Sequence, residues 1–118
     1  MKVLITGANG QLGRALNKLM KNVSAYEVVN TDVWNIENGY PETFAEGIEY
    51  LDLTKEAAVE ERIQNLQPDV IINCAAYTAV DKAEEDEETA KKINSDAPGY
   101  LAKAAKKTGA VLVHVSTD

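Results

Sequence analysis

Gly7, Gly10 and Gly13 in TGANGQLG are spaced three residues apart, between an apolar run and a stretch of helical period. Such a segment can turn tightly, let a pyrophosphate approach bare backbone, and aim a helix N-terminus at negative charge. The same chemistry calls for an acidic residue about twenty positions on, at the end of the next strand. Asp32 stands there. Its carboxylate would accept hydrogen bonds from adenosine ribose hydroxyls and repel a 2′-phosphate. That favours NADH over NADPH, while Arg14 leaves the phosphorylated form open.

These residues need a scaffold, and the rest of the chain supplies its pattern. Short β-branched runs alternate with longer charged stretches of helical period, which predicts parallel βαβ units rather than hairpins. Strands are expected at Lys2–Thr6, Glu27–Thr31, Glu49–Asp52, Asp69–Cys74 and Ala110–Ser116. Gln11–Met20 reads as a helix with Leu12, Leu16 and Leu19 at helical spacing. A second helix is expected over Lys55–Leu66, capped by Thr54 and closed by Pro68. Helical pattern returns from Lys82 to Thr108. Pro98 predicts a break near Asn94–Asp96, with Ser95 or Asp96 capping the second part and Gly109 ending it. Residues 33–47 form a long polar connection.

The fold class is therefore α/β, a Rossmann-type doubly wound parallel sheet in strand order 3-2-1-4-5, forming one domain over residues 1–118. In such a sheet the ligand crevice lies outside the carboxyl ends of the strands. Each predicted strand end presents a polar or glycine contact: Gly7, Asp32, Asp52, residues 73–78 and residues 116–118.

Composition narrows the function classes. A chain of 118 residues with 45% hydrophobic content sustains one core. A formal charge of −7 argues against a nucleic-acid partner, which is held largely by Lys and Arg on phosphates. Backbone N–H groups can still hold a small anion. Cys74 is the single cysteine, which excludes a disulfide framework or a cysteine zinc cluster and fits a reduced compartment. The apolar stretch after Met1-Lys2 is too short for a signal or a membrane span, so a cytoplasmic location and no membrane partner are expected. His114, between valines, reads as a packed or hydrogen-bonded structural residue. Cys74 reads as a small core hydrophobe, the acidic run 84–88 as a solvated helix start, and Trp34 as a loop aromatic over the core.

TGANGQLG, DLT at Asp52–Thr54, PDVIINCAAYTAVDKAE at Pro68–Glu84 and VHVSTD at Val113–Asp118 occur in that order. Together they resemble the amino-terminal part of the dTDP-4-dehydrorhamnose reductase family, extended short-chain dehydrogenase/reductases. The resemblance covers the whole chain. It implies that Gly10, Gln11 and Leu12 contact the pyrophosphate of an NAD(P)H cofactor and that Asp32 holds the adenosine ribose. Asp52 and Leu53 would meet the adenine. Ala76, Tyr77 and Thr78 would lie along the centre of the cofactor, with Val115 beside it. Thr117 matches the family's catalytic hydroxyl residue, and Thr117 with Asp118 would touch the nucleotide-sugar substrate.

One departure qualifies that picture. The family completes its site with a Tyr-x-x-x-Lys pair, in which Tyr protonates the reduced carbonyl and Lys lowers its pKa. The residues four after Tyr26, Tyr40, Tyr50, Tyr77 and Tyr100 are Asn30, Phe44, Thr54, Asp81 and Ala104. The chain thus reads as an incomplete dinucleotide-binding domain that lacks this segment and the substrate domain. It is expected to be inactive alone, with an intact parent reducing dTDP-4-dehydro-6-deoxy-L-mannose to dTDP-L-rhamnose. Two other readings stay open: a non-catalytic dinucleotide-binding regulatory module, and a related sugar-nucleotide epimerase or dehydratase. A sheet that stops at the fifth strand leaves an apolar edge, through which self-association is expected.

Overall fold

The apolar run KVLIT forms β1 (Lys2–Thr6), with Val3, Leu4 and Ile5 all at 1% exposure or less. Consecutive strand residues point to opposite faces, so burial of all three requires cover on both sides of the sheet. The computed structural model describes residues 1–8, 11–20, 22–32, 48–74 and 96–114. Its further elements are α1 (Gln11–Met20), β2 (Glu27–Asp32), β3 (Ile48–Tyr50), α2 (Glu56–Leu66), β4 (Val70–Asn73), α3 (Ala97–Thr108) and β5 (Val111–His114). The expected long connection at 33–47, the helical stretch 82–95 with its acidic run, and Trp34 lie outside the described residues.

The sheet has the expected order β3-β2-β1-β4-β5, and all its strand pairs are parallel. Chain reversal at β1 produces two layers. On one face Leu4, Ile71 and Leu112 pack with Val59, Ile63 and Leu66 of α2 and Leu101, Ala104 and Ala105 of α3. On the other, Val3, Ile5 and Ile48 pack with Leu16 and Met20 of α1.

Several local expectations are corrected. In α1 the inward stripe is Gly13, Leu16, Asn17 and Met20, spaced three, four and seven apart, whereas Leu19 is 72% exposed. Leu19 lies off that stripe and Met20 takes the core position. β3 begins at Ile48, the one buried residue of a three-residue edge strand, and ends at Tyr50 rather than Asp52. Lys55, not Thr54, holds the cap position of α2 and makes no side-chain cap bond. Asp96 flanks α3 in helical geometry and does not cap it, while Pro98 sits in the first turn, where its missing N–H costs nothing. Gly109 ends α3 in a left-handed cap, its N–H donating to the Ala105 carbonyl at 2.8 Å.

Edge strand β3 is tied to α2 by a two-pronged contact, Arg62 Nε and Nη2 donating to Glu49 at 2.9 and 2.8 Å. Both partners are substantially exposed, so the pair contributes no more than about 1 kcal/mol and mainly sets orientation. Among the described residues, no helix is long and apolar enough to cross a membrane. Ile63 is fully buried between α2 and the sheet. Ile63→Ala should lower the unfolding free energy by about 2–5 kcal/mol in urea denaturation.

Candidate functional site

β1 ends at Thr6 and runs into Gly7, whose φ of +68° lies in the left-handed region that side chains disfavour. From there the chain turns toward β2, and the Ala8 N–H donates to the Thr31 carbonyl at 3.0 Å. α1 then returns against this turn. A Cβ on Gly13 would stand 2.6 Å from both Ala8 Cα and the Gly7 carbonyl oxygen, backbone atoms that cannot swing aside. A bare helix residue is therefore required for α1 to start so close to the end of β1. The result is a positive-φ turn, a close-packed helix and that helix's N-terminus at one strand end, which suits the pyrophosphate of a dinucleotide.

The neighbouring strand ends add carboxylates. Asp32 closes β2, half-buried, and its carbonyl accepts from the Leu51 N–H at 3.0 Å. Just beyond β3, Asp52 Oδ1 accepts from the Thr54 N–H at 2.9 Å and from the Thr54 hydroxyl at 2.7 Å. This is an Asx-type turn that launches α2, and it explains why Thr54 does not cap the helix. Leu53 is 6% exposed and packs in the core, so only its main chain is available to a ligand.

On the other side of β1, the Thr6 hydroxyl donates to Asn73 Oδ1 at 2.7 Å, and Asn73 Nδ2 donates to His114 Nδ1 at 2.9 Å. The His114 ring thus ends a cross-strand chain of hydrogen bonds, in keeping with a structural histidine. The Cys74 N–H donates to the Thr6 carbonyl at 3.0 Å. Its half-buried side chain packs beside Val70 and Ile72, and burial pushes the thiol pKa up.

The structure thus gathers Gly7, Gly13, Asp32, Asp52 and the main chain of Leu53 along one edge of the sheet, with Gln11 and Leu12 in the first turn of α1. Gly10, Ala76, Tyr77, Thr78, Val115, Thr117 and Asp118 lie outside the described residues. Among the described residues no cluster of His, Cys, Asp or Glu could hold a metal ion. A pocket of about 150 Å³ between α2 and α3, lined by Glu60, Gln64, Gln67 and Lys107, opens at the opposite end of the sheet. There the Lys107 ammonium bonds to Glu60 and holds its carboxyl below the usual range. One pair went unread in the sequence: Asn17 of α1 and Asn30 of β2 exchange amide hydrogen bonds beneath the turn. The available signal was an amide on the inward face of each element, beside Leu16 and Met20 in α1 and Val28 in β2.

Residues 1–118 match the RmlD substrate binding domain family. A dTDP-4-dehydrorhamnose reductase of Aggregatibacter actinomycetemcomitans is 42% identical over 117 residues, 99% of this chain and 35% of that protein. The crystal structure of a dTDP-4-dehydrorhamnose reductase from Clostridium acetobutylicum superposes with a TM-score of 0.76 at 44% identity, over 95% of this chain and 34% of that one. A Bacillus anthracis dTDP-4-dehydrorhamnose reductase, solved in complex with NADP, gives a TM-score of 0.74 at 37% identity, over 98% of this chain and 36% of that one. The chain spans about a third of the length of these proteins.

Two outcomes check this geometry. Gly13→Ala should cost roughly 1–3 kcal/mol of stability, because the methyl group must displace backbone, and a thermal melt unchanged from wild type would refute the close approach. Because the raised Cys74 pKa lowers the thiolate fraction at neutral pH, iodoacetamide should alkylate the folded chain more slowly than the urea-unfolded one. Its rate–pH profile should also be displaced to higher pH.

Proposed function

Because the chain belongs to the RmlD substrate binding domain family, we propose that it provides the dinucleotide-binding part of a reductase acting on a nucleotide-linked keto sugar. The observation that carries this reading is the bare-backbone cradle where Gly7 and Gly13 bring the start of α1 against the end of β1, one strand away from Asp32. In this reading Gly7, Gly10, Gln11, Leu12 and Gly13 hold the pyrophosphate, and Asp32 holds the adenosine ribose. Asp52 and the Leu53 main chain meet the adenine, while Ala76, Tyr77, Thr78 and Val115 line the way to the nicotinamide.

When bound, the dinucleotide supplies the hydride. Thr117, with Asp118, orients the sugar nucleotide and hydrogen-bonds the oxygen on which negative charge develops. The substrate of the parent is dTDP-4-dehydro-6-deoxy-L-mannose and the product dTDP-L-rhamnose. None of the tyrosines in this chain is followed four positions on by lysine, so the chain binds without turning over. Asp32 favours NADH, against the example of the Bacillus anthracis protein with its NADP. The single cysteine, a free thiol, supports a cytoplasmic setting. Self-association along the edge strand β5 belongs to the same reading.

Isothermal titration of the chain with NADH and NADPH tests the central point. NADH should bind the more tightly, and Asp32→Ala should weaken it by about tenfold, the loss of one or two charge-assisted hydrogen bonds. A folded chain that binds neither dinucleotide overturns the reading. The chain should also show no reduction of the keto sugar with either dinucleotide present.

A further inference from the structure

We infer that Asn17 and Asn30 are positioning residues for the dinucleotide cradle, fixing how α1 sits on β2 and hence where its N-terminus stands relative to Asp32. This rests on the reading that the cradle holds a dinucleotide. Asn17 Nδ2 donates to Asn30 Oδ1 at 2.5 Å and to the Gly13 carbonyl at 3.2 Å, while Asn30 Nδ2 donates to Asn17 Oδ1 at 2.9 Å. Each amide is both donor and acceptor, which leaves the pair one relative orientation.

The setting is otherwise apolar. Asn30 is in register with Ile5 of β1 and Ile48 of β3, both in the cluster that packs against Leu16 and Met20 of α1. Apolar contacts are non-directional, so Leu16 and Met20 attract α1 to the sheet without choosing its axial position. The part-buried amide pair, being directional, makes that choice.

The pair also closes a circuit of contacts around the cradle. Asn30 precedes Thr31, whose carbonyl accepts from Ala8. Ala8 lies beneath Gly13, and the Gly13 carbonyl accepts from Asn17. Asp32 is two residues beyond Asn30, so sliding α1 along the sheet would alter the distance between the helix N-terminus and the ribose-binding carboxylate.

The test separates positioning from stability by replacing both amides together. Asn17→Leu with Asn30→Val removes both partners of the mutual pair and leaves the Gly13 carbonyl its main-chain helix partner, an exchange that can be near neutral for stability. Urea denaturation should therefore show near wild-type stability, whereas titration with NADH should show binding weakened about tenfold. Wild-type affinity in a stable double variant would overturn the inference, as would weakening that merely tracks lost stability. Should the double variant not fold, Asn17→Thr keeps a hydroxyl for the Gly13 carbonyl but cannot reach Asn30. It should weaken NADH several-fold, and unchanged affinity there overturns the inference equally. A wild-type chain that binds no dinucleotide removes the cradle itself, a failure distinct from any of these.

Discussion

Leu4 and Ile5 are neighbours in the chain, both fully buried, and they face opposite sides of the sheet. That double burial requires a layer of helix on each face, so β1 must be central, with β2 on one side and β4 on the other. Once β1 is central and every pairing is parallel, all strand ends with the same sense fall along one edge. The described candidate residues Gly7, Asp32 and Asp52 need no further device to be brought together, because each lies at or just beyond the end of β1, β2 or β3.

Around that edge, the described turns are held by their own backbone or by a short polar side chain. Ala8 bonds to Thr31, Leu51 to Asp32, Thr54 to Asp52 and Cys74 to Thr6. These described main-chain positions are thus fixed by bonds within the protein itself. The carboxylates of Asp32 and Asp52 both lie on the β2–β3 side, whereas the β4–β5 side carries the neutral chain from Thr6 through Asn73 to His114. Among the described residues, the two sides of β1 thus differ in charge as well as in sequence.

What could be read from the residues was what is local or fully apolar. KVLIT and DVIINC announce central strands because both faces are buried. The glycine spacing and the acidic residue that follows it are legible because turn, helix start and strand end all fall within one βαβ unit. The errors arose where partners come from elsewhere in the chain. Leu19 and Met20 are equally apolar, and only docking on β1 and β2 selects Met20. Thr54 resembles a helix cap until Asp52 captures its hydroxyl. The Asn17–Asn30 pair joins two elements whose relative placement no local pattern encodes.

The exclusively parallel register has a kinetic meaning as well. Thr6 and Asn73, bonded at the centre of the sheet, are 67 residues apart in the chain. No described strand pair is joined by a tight turn, so each ladder forms only after a long segment has been closed, at an entropic cost that precedes any gain. β1, α1 and β2 can assemble first as a compact unit, but one side of β1 then waits as an unpaired apolar edge until β4 arrives. The arrangement that brings the described strand ends to one edge thereby favours slow folding, with mispairing most open while the central strand is half covered.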